Sequence, residues 1–164
     1  MKKIRAAVVG YGNIGKFVIE SLITSPDFEI AGIVRRNTSI IPDAIKQFNV
    51  VSDIDQLEDV DVAILCTPTR EVPKYAKEYL AKGINTVDSF DIHTSIADLI
   101  TELEPIAKQH NTTAIVSAGW DPGSDSIVRT LMQAAAPKGI TYTNFGPGMS
   151  MGHSVAARSK DGVK

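Results

Sequence analysis

The first fifteen residues constrain the fold of this chain more than any other stretch. A short apolar run rich in β-branched residues, Ile4–Val9, meets Gly10-Tyr11-Gly12-Asn13-Ile14-Gly15, and helical spacing follows at once over residues 13–25. A bare G-x-G-x-x-G is weak, because glycine triplets arise by chance. Placed between a buried-strand pattern and a helix, it describes a strand-to-helix turn built for phosphate. Gly10 permits the tight turn, Gly12 leaves the backbone open to a pyrophosphate, and Gly15 lets the helix pack close to the strand. The amides of Asn13 and Ile14 then point at the phosphates from a helix N-terminus, where the peptide dipoles favour negative charge.

Strand and helix patterns alternate beyond this turn. Strands are expected over residues 29–34, 60–66, 85–88, 113–116 and 140–145, and helices over 40–48, 71–82, 95–110 and 124–136. The first helix is expected to place Phe17, Leu22 and Ile23 near one face, Thr94 or Ser95 to cap the helix that follows, and Pro105 to kink or divide it. Such alternation predicts an α/β fold: a Rossmann-type doubly wound parallel sheet with right-handed crossovers. The expected domain division is 1–118 for the nucleotide-binding domain and 119–164 for the beginning of a second region concerned with substrate and dimerisation. After Phe145 the sequence turns small, polar and aperiodic, as though the chain stops where another segment should begin.

Composition bounds the partners. The formal charge is −2 with no basic run, which argues against nucleic acid. No apolar stretch approaches the roughly 18 residues of a membrane span. The single cysteine, Cys66, rules out an internal disulfide and a thiolate zinc cluster, and no metal is expected. A cytoplasmic protein is the expectation.

The second strand's tip selects the cofactor. A domain that binds NAD usually carries Asp or Glu about 20 residues on, to hold the ribose 2′-hydroxyl. Twenty positions past Gly15 stands Arg35, followed by Arg36. Two guanidiniums suit a 2′-phosphate through charge-assisted, often bidentate bonds, so the cofactor is expected to be NADP. The plain alternative is a pair of solvated surface arginines.

Ligands in such sheets lie beyond the carboxyl ends of the strands. Cys66-Thr67-Pro68-Thr69, Asp88-Ser89-Phe90-Asp91 and Gly119-Trp120-Asp121-Pro122 fall there. Cys66 reads as a small buried residue, while Thr67 to Thr69 are placed along the nicotinamide ribose. Ser89, Phe90, Asp91 and the 119–122 run complete the expected cofactor contacts. Asp88, Asp91 and Asp121 cluster at strand ends, and two acids facing one pocket suit a substrate ammonium. Asp91 could instead be a turn residue, and Asp121 a helix cap near Ser124. His93 and His153 are candidate proton carriers, and His110 suits a helix C-terminus.

These pieces, together with Phe145-Gly146-Pro147-Gly148 and Gly152-His153-Ser154, resemble meso-diaminopimelate dehydrogenase over essentially the whole chain. The Trp-Asp-Pro-Gly and Gly-His-Ser pieces are far more specific than the glycine turn. The resemblance implies NADP-dependent oxidative deamination of meso-2,6-diaminoheptanedioate at its D-centre, giving L-2-amino-6-oxoheptanedioate, ammonia and NADPH. It implies that Asp91 and Asp121 hold the reacting ammonium and help deprotonate it. Trp120 and Phe145 would wall the substrate, with Met151 and Gly152 at its carboxylate. It also implies a homodimer, and chains roughly double this length, so the present one is expected to be a fragment. Two departures stand out: Phe145 sits where relatives often carry tryptophan, and Cys66-Thr67-Pro68-Thr69 is closer to other Rossmann oxidoreductases. The rivals are a Gfo/Idh/MocA-type sugar enzyme, whose Glu-Lys-Pro motif is absent, an aspartate dehydrogenase, and a non-catalytic NAD(P)-binding domain.

Overall fold

The computed structural model describes residues 2–118, 124–139 and 162. The chain divides into two compact units, residues 1–118 and 119–164. The first is a six-stranded, wholly parallel sheet in the order β3-β2-β1-β4-β5-β6. Its strands are β1 (Ile4–Val9), β2 (Phe28–Val34), β3 (Val50–Val51), β4 (Val62–Leu65), β5 (Asn85–Asp88) and β6 (Ala114–Ile115). The helices are α1 (Asn13–Thr24), α2 (Val72–Ala81) and α3 (Ile96–His110). In the second unit, α4 (Ser124–Ala135) occupies the span where the sequence predicts a helix. The expected strand over 140–145 lies outside the described residues.

The order places β1 at the centre, where the winding direction reverses. Alternation along β1 supplies both faces. Ala6 and Val8 join Ile19, Leu22, Ile33 and Ile45 in one core. Ala7 and Val9 join Leu65, Val72, Tyr79, Leu80, Leu99 and Leu103 in the other. A strand buried on both faces has to be a continuous apolar run, and Ala6–Val9 is one. Each large aliphatic side chain so buried contributes about 1.5–3 kcal/mol.

Several elements differ from the sequence expectation, each for an identifiable reason. The buried face of α1 is Gly15, Ile19 and Leu22, whereas Phe17 and Ile23 are 66% and 57% exposed. Gly15 sets this rotation: a Cβ there would collide with the carbonyl oxygen of Gly10, so position 15 has to face the sheet, and 19 and 22 follow at helical spacing. Within residues 40–48 only a 3-10 turn forms, Asp43–Ile45. Pro42, at φ −58° and ψ 142°, stands in an extended conformation that blocks a helix entering from Ile40. The two-residue strand β3 was not expected; Val50 and Val51 are drawn into the sheet by pairing with Ile33 and Val34. Conversely, the expected strand over 113–116 shrinks to β6.

Pro105 does not divide α3, which runs unbroken from Ile96 to His110. Leu99 and Leu103, both buried, anchor the helix before the proline, and Pro105 itself is exposed. Packing thus outweighs one missing hydrogen bond. Ser95 takes the N-cap position of α3 without a side-chain cap bond, and Asn111 ends the helix in the left-handed region at φ 52°. Among the described residues no helix is long and apolar enough to cross a membrane.

Candidate cofactor and substrate site

The glycine turn is locked from below. The amide of Gly10 donates to the carbonyl of Val34 at 2.8 Å, and its φ is +103°. A Cβ at Gly10 would stand 2.6 Å from the carbonyl oxygen of Cys66, at the end of neighbouring β4. Gly10 is therefore demanded twice, by conformation and by approach. Gly15 is demanded by packing alone, as above. Gly12 differs: a Cβ there would meet nothing within 4 Å. Its backbone is extended (φ −93°, ψ −162°) at the N-cap of α1, and it offers the first-turn amides no side-chain cap. Among the described residues no packing forbids a side chain at Gly12, so the space above it suits an outside group of phosphate type.

Tyr11 forms the rim of this turn beside two cations. Lys16 Nζ lies 5.7 Å from the centre of its ring, and the Arg35 guanidinium carbon 5.9 Å. Arg35 is anchored through its backbone amide to Val51 and through Nη1 to the carbonyl of Ile40, at 3.0 Å. The short strand β3 and the loop that follows Arg35 thus hold it against the tyrosine. Arg36 is exposed. Sequence reasoning missed Lys16; the signal was available, since a cation one residue past the last glycine lies on the first turn of the helix.

Cys66 is half-buried and takes part mainly through its backbone, donating to Val9 and facing Gly10 with its carbonyl. Burial pushes its thiol up to about 12, so it stays protonated at neutral pH. That matches the reading of Cys66 as a small packing residue. Thr67 Oγ1 is buried with no hydrogen-bond partner among the described residues. Pro68 is exposed, and Thr69 Oγ1 accepts the amide of Asp91 at 3.1 Å. Ser89 is half-buried, Phe90 turns its ring into the core at 3% exposure, and Asp91 is exposed.

Asp88, one of the three acids expected at strand ends, is turned into the protein. It is 2% exposed, and its Oδ1 accepts the amides of Phe90 and Ser117 at 2.9 and 3.0 Å. Gly119, Trp120, Asp121, Pro122, Phe145, Met151, Gly152 and His153 lie outside the described residues, so their expected roles are not placed by the structure. Among the described residues no group of three or more acidic, His or Cys side chains gathers in a way that could hold a metal ion.

The two ends of the expected site are thus separated along the sheet. The cations stand at the tip of β2 and Asp91 follows β5, three strand spacings away, about 14 Å. A dinucleotide laid across the central turn spans that kind of distance. An open groove between α3 and β6, lined by Ile100, Leu103, Ala107 and Ala114 among others, contains none of the expected site residues.

The turn, the strand order and the reversal at β1 define a nucleotide-binding oxidoreductase domain, and the comparisons agree. Residues 4–117 match the model of the oxidoreductase family with an NAD-binding Rossmann fold, and the chain belongs to that family. Residues 119–164 match the model of the diaminopimelic acid dehydrogenase C-terminal domain. The chain is 67% identical, over its whole length, to the meso-diaminopimelate D-dehydrogenase of Bacteroides fragilis, of which it covers 55%. Among solved structures it resembles an engineered D-amino acid dehydrogenase bound to NADP+, with TM-score 0.76, 33% identity, and coverage of 98% of this chain and 50% of that one. It also resembles the C. glutamicum DAP dehydrogenase in complex with DAP, with TM-score 0.76, 34% identity, and coverage of 96% and 49%. The chain spans about half the length of the curated relatives it matches.

Proposed function

We propose that this chain is the cofactor-binding part of an NADP-dependent dehydrogenase. The reaction is the reversible oxidative deamination of meso-2,6-diaminoheptanedioate at its D-centre, yielding L-2-amino-6-oxoheptanedioate, ammonia and NADPH. Residues 1–118 form the NADP-binding domain, and 119–164 begin the region that binds substrate and pairs two subunits in a cytoplasmic homodimer. The observation that carries the reading is the glycine turn: two glycines are locked by the protein's own backbone, while the third, Gly12, opens onto free space.

The residues fit the cofactor. Tyr11, Gly12, Asn13 and Ile14 line the pyrophosphate, and Arg35 and Arg36 hold the 2′-phosphate. Cys66, Thr67, Pro68 and Thr69 support the nicotinamide half, with Ser89, Phe90 and the 119–122 run beside them. When bound, NADP+ supplies the two-electron acceptor, and the protein supplies placement. The substrate amine has to lose protons as the carbon–nitrogen bond becomes double, and a carboxylate accepting a hydrogen bond from it can take them. Asp121 is assigned that role with Asp91 beside it. Trp120, Phe145, Met151 and Gly152 hold the rest of the substrate.

The test is NADP+ reduction by the uninterrupted reading frame with meso-diaminopimelate, set against aspartate and myo-inositol. Turnover confined to diaminopimelate is the expected result. Turnover on either alternative, or cofactor binding with no turnover on any of the three, would overturn the reading.

A further inference from the structure

We infer that Asp88 is a positioning residue for the reaction assigned above: a buried clip that holds the Ser89–Asp91 loop and the end of β6 as one unit, so that Asp91 is presented in a fixed place. The inference rests on that reading for the meaning of Asp91, but the clip itself is a matter of geometry.

Asp88 is the last residue of β5, at the carboxyl edge of the sheet. Its Oδ1 takes two amides at once, from Phe90 on its own loop and from Ser117 just beyond β6. Its backbone carbonyl takes a third, from Ala118 at 2.7 Å. Ser117 closes the ring by donating its Oγ to the carbonyl of Phe90 at 2.8 Å. From the other side, Thr69, which opens the 3-10 turn in the loop after β4, holds the amide of Asp91. The loops after β4, β5 and β6 are thereby tied together around one short segment, and Asp91 is held at its end by the Thr69 bond and by the bonded Phe90 before it.

Two features indicate that the clip serves geometry rather than stability. Asp88 Oδ2 is buried with no hydrogen-bond partner among the described residues, an arrangement that disfavours the folded state. Ser117 is held at φ 58°, in the left-handed region that a serine adopts only under constraint. An apolar residue at 88 would avoid the first cost and release the second, but it would leave the amides of Phe90 and Ser117 without an acceptor. What the carboxylate secures is where the loop stands. The sequence shows only an acid at a strand end, and its burial is what distinguishes it from Asp91 three residues later.

The experiment uses the uninterrupted reading frame carrying Asp88→Ala, Asp88→Asn or Ser117→Ala. Amide hydrogen exchange at Phe90 and Ser117, kcat on diaminopimelate and NADP+ affinity are read in each. Asp88→Ala should speed exchange at both amides at least tenfold and lower kcat at least tenfold, with NADP+ affinity within about threefold of the parent. Asp88→Asn keeps the Oδ1 acceptor and should restore both readouts to within about threefold. An Asp88→Ala protein with parental kcat, or with unchanged exchange, overturns the inference. So does an Asn variant as damaged as the Ala variant, because charge rather than the clip would then be at work. Should Asp88→Ala fail to fold, Ser117→Ala decides: it should lower kcat without changing cofactor affinity, and a parental kcat overturns the proposal. If the parent protein turns over no diaminopimelate, the functional reading fails separately. The clip is then judged on exchange alone, where protection lost in Ala and kept in Asn supports it and any other pattern overturns it.

Discussion

Replacing Gly12 with alanine should separate folding from cofactor binding, because Gly12 is the one glycine of the turn that no contact among the described residues requires. Its φ of −93° suits any L-residue, and a Cβ there meets no atom within 4 Å. Two small effects on stability oppose each other. Alanine is a poorer N-cap than glycine, but it also narrows the unfolded ensemble by about 0.4–1 kcal/mol. The net change in unfolding free energy should stay within about 1 kcal/mol. Binding is another matter. Phosphate oxygens accepting amide bonds stand about 2.9 Å from the donor nitrogens, which leaves no room for a methyl group on the intervening residue. Losing even one charge-assisted bond, about 1.5–3 kcal/mol, weakens binding by roughly 10- to 150-fold. Gly15→Ala supplies the contrast. Its Cβ collides with a backbone carbonyl rather than a yielding side chain, so it should destabilise the fold by about 1–3 kcal/mol or more. Urea denaturation and NADPH fluorescence titration measure the two quantities. If Gly12→Ala binds NADPH as tightly as the parent, the phosphate site is not above this turn. If Gly15→Ala is as stable as the parent, the packing argument is wrong.

Four further outcomes are expected. Arg35→Ala combined with Arg36→Ala should weaken NADP+ at least about tenfold more than NAD+ in parallel titrations, and equal weakening would show that neither guanidinium reads the 2′-phosphate. Asp121→Asn in the uninterrupted reading frame should lower turnover at least about 100-fold, and unchanged turnover removes Asp121 from the chemistry. Leu80→Ala, at a fully buried position in α2, should cost about 2–5 kcal/mol in denaturant unfolding. Cys66 should resist alkylation at pH 8 while the protein is folded. Its thiol titrates near 9.0 when unfolded and near 12 when folded, so its contribution to stability is intact below pH 9 and fades as pH rises toward 12. Denaturation midpoints followed from pH 8 to 11 check that sign.

The strand, glycine turn and helix that open the chain were legible because their requirements are local. A strand run, three glycines at fixed spacing and a helix start all lie within the first 25 residues, and each glycine answers to a backbone conformation or an approach distance. The position of Arg35 and Arg36 just past β2 was legible for a similar reason, since the length of one β-α-β unit fixes how far the second strand's tip stands from the turn. The class of fold followed from alternation alone. The rotation of α1 was missed although the spacing carries it: Ile19 and Leu22 stand three apart with Gly15 four before Ile19, whereas Phe17 and Ile23, six apart, lie about 120° apart around the helix. Contact between Gly15 and the Gly10 carbonyl then fixes the buried face. Val50 and Val51 are too few to announce a strand until β2 stands beside them.

The amino-acid sequence by itself determined that a parallel α/β sheet would form around a glycine turn between β1 and α1, because those signals depend on neighbours a few residues away. Tertiary structure alone decided that Pro105 would be carried within an unbroken helix and that Arg35 would be braced against Tyr11. It also decided that Asp88 would be buried as a clip while Asp91 stayed exposed. Each of these depends on which strand ends and helix faces meet across the sheet, between residues as far apart as 88 and 117, and such contacts exist only once the chain has closed on itself.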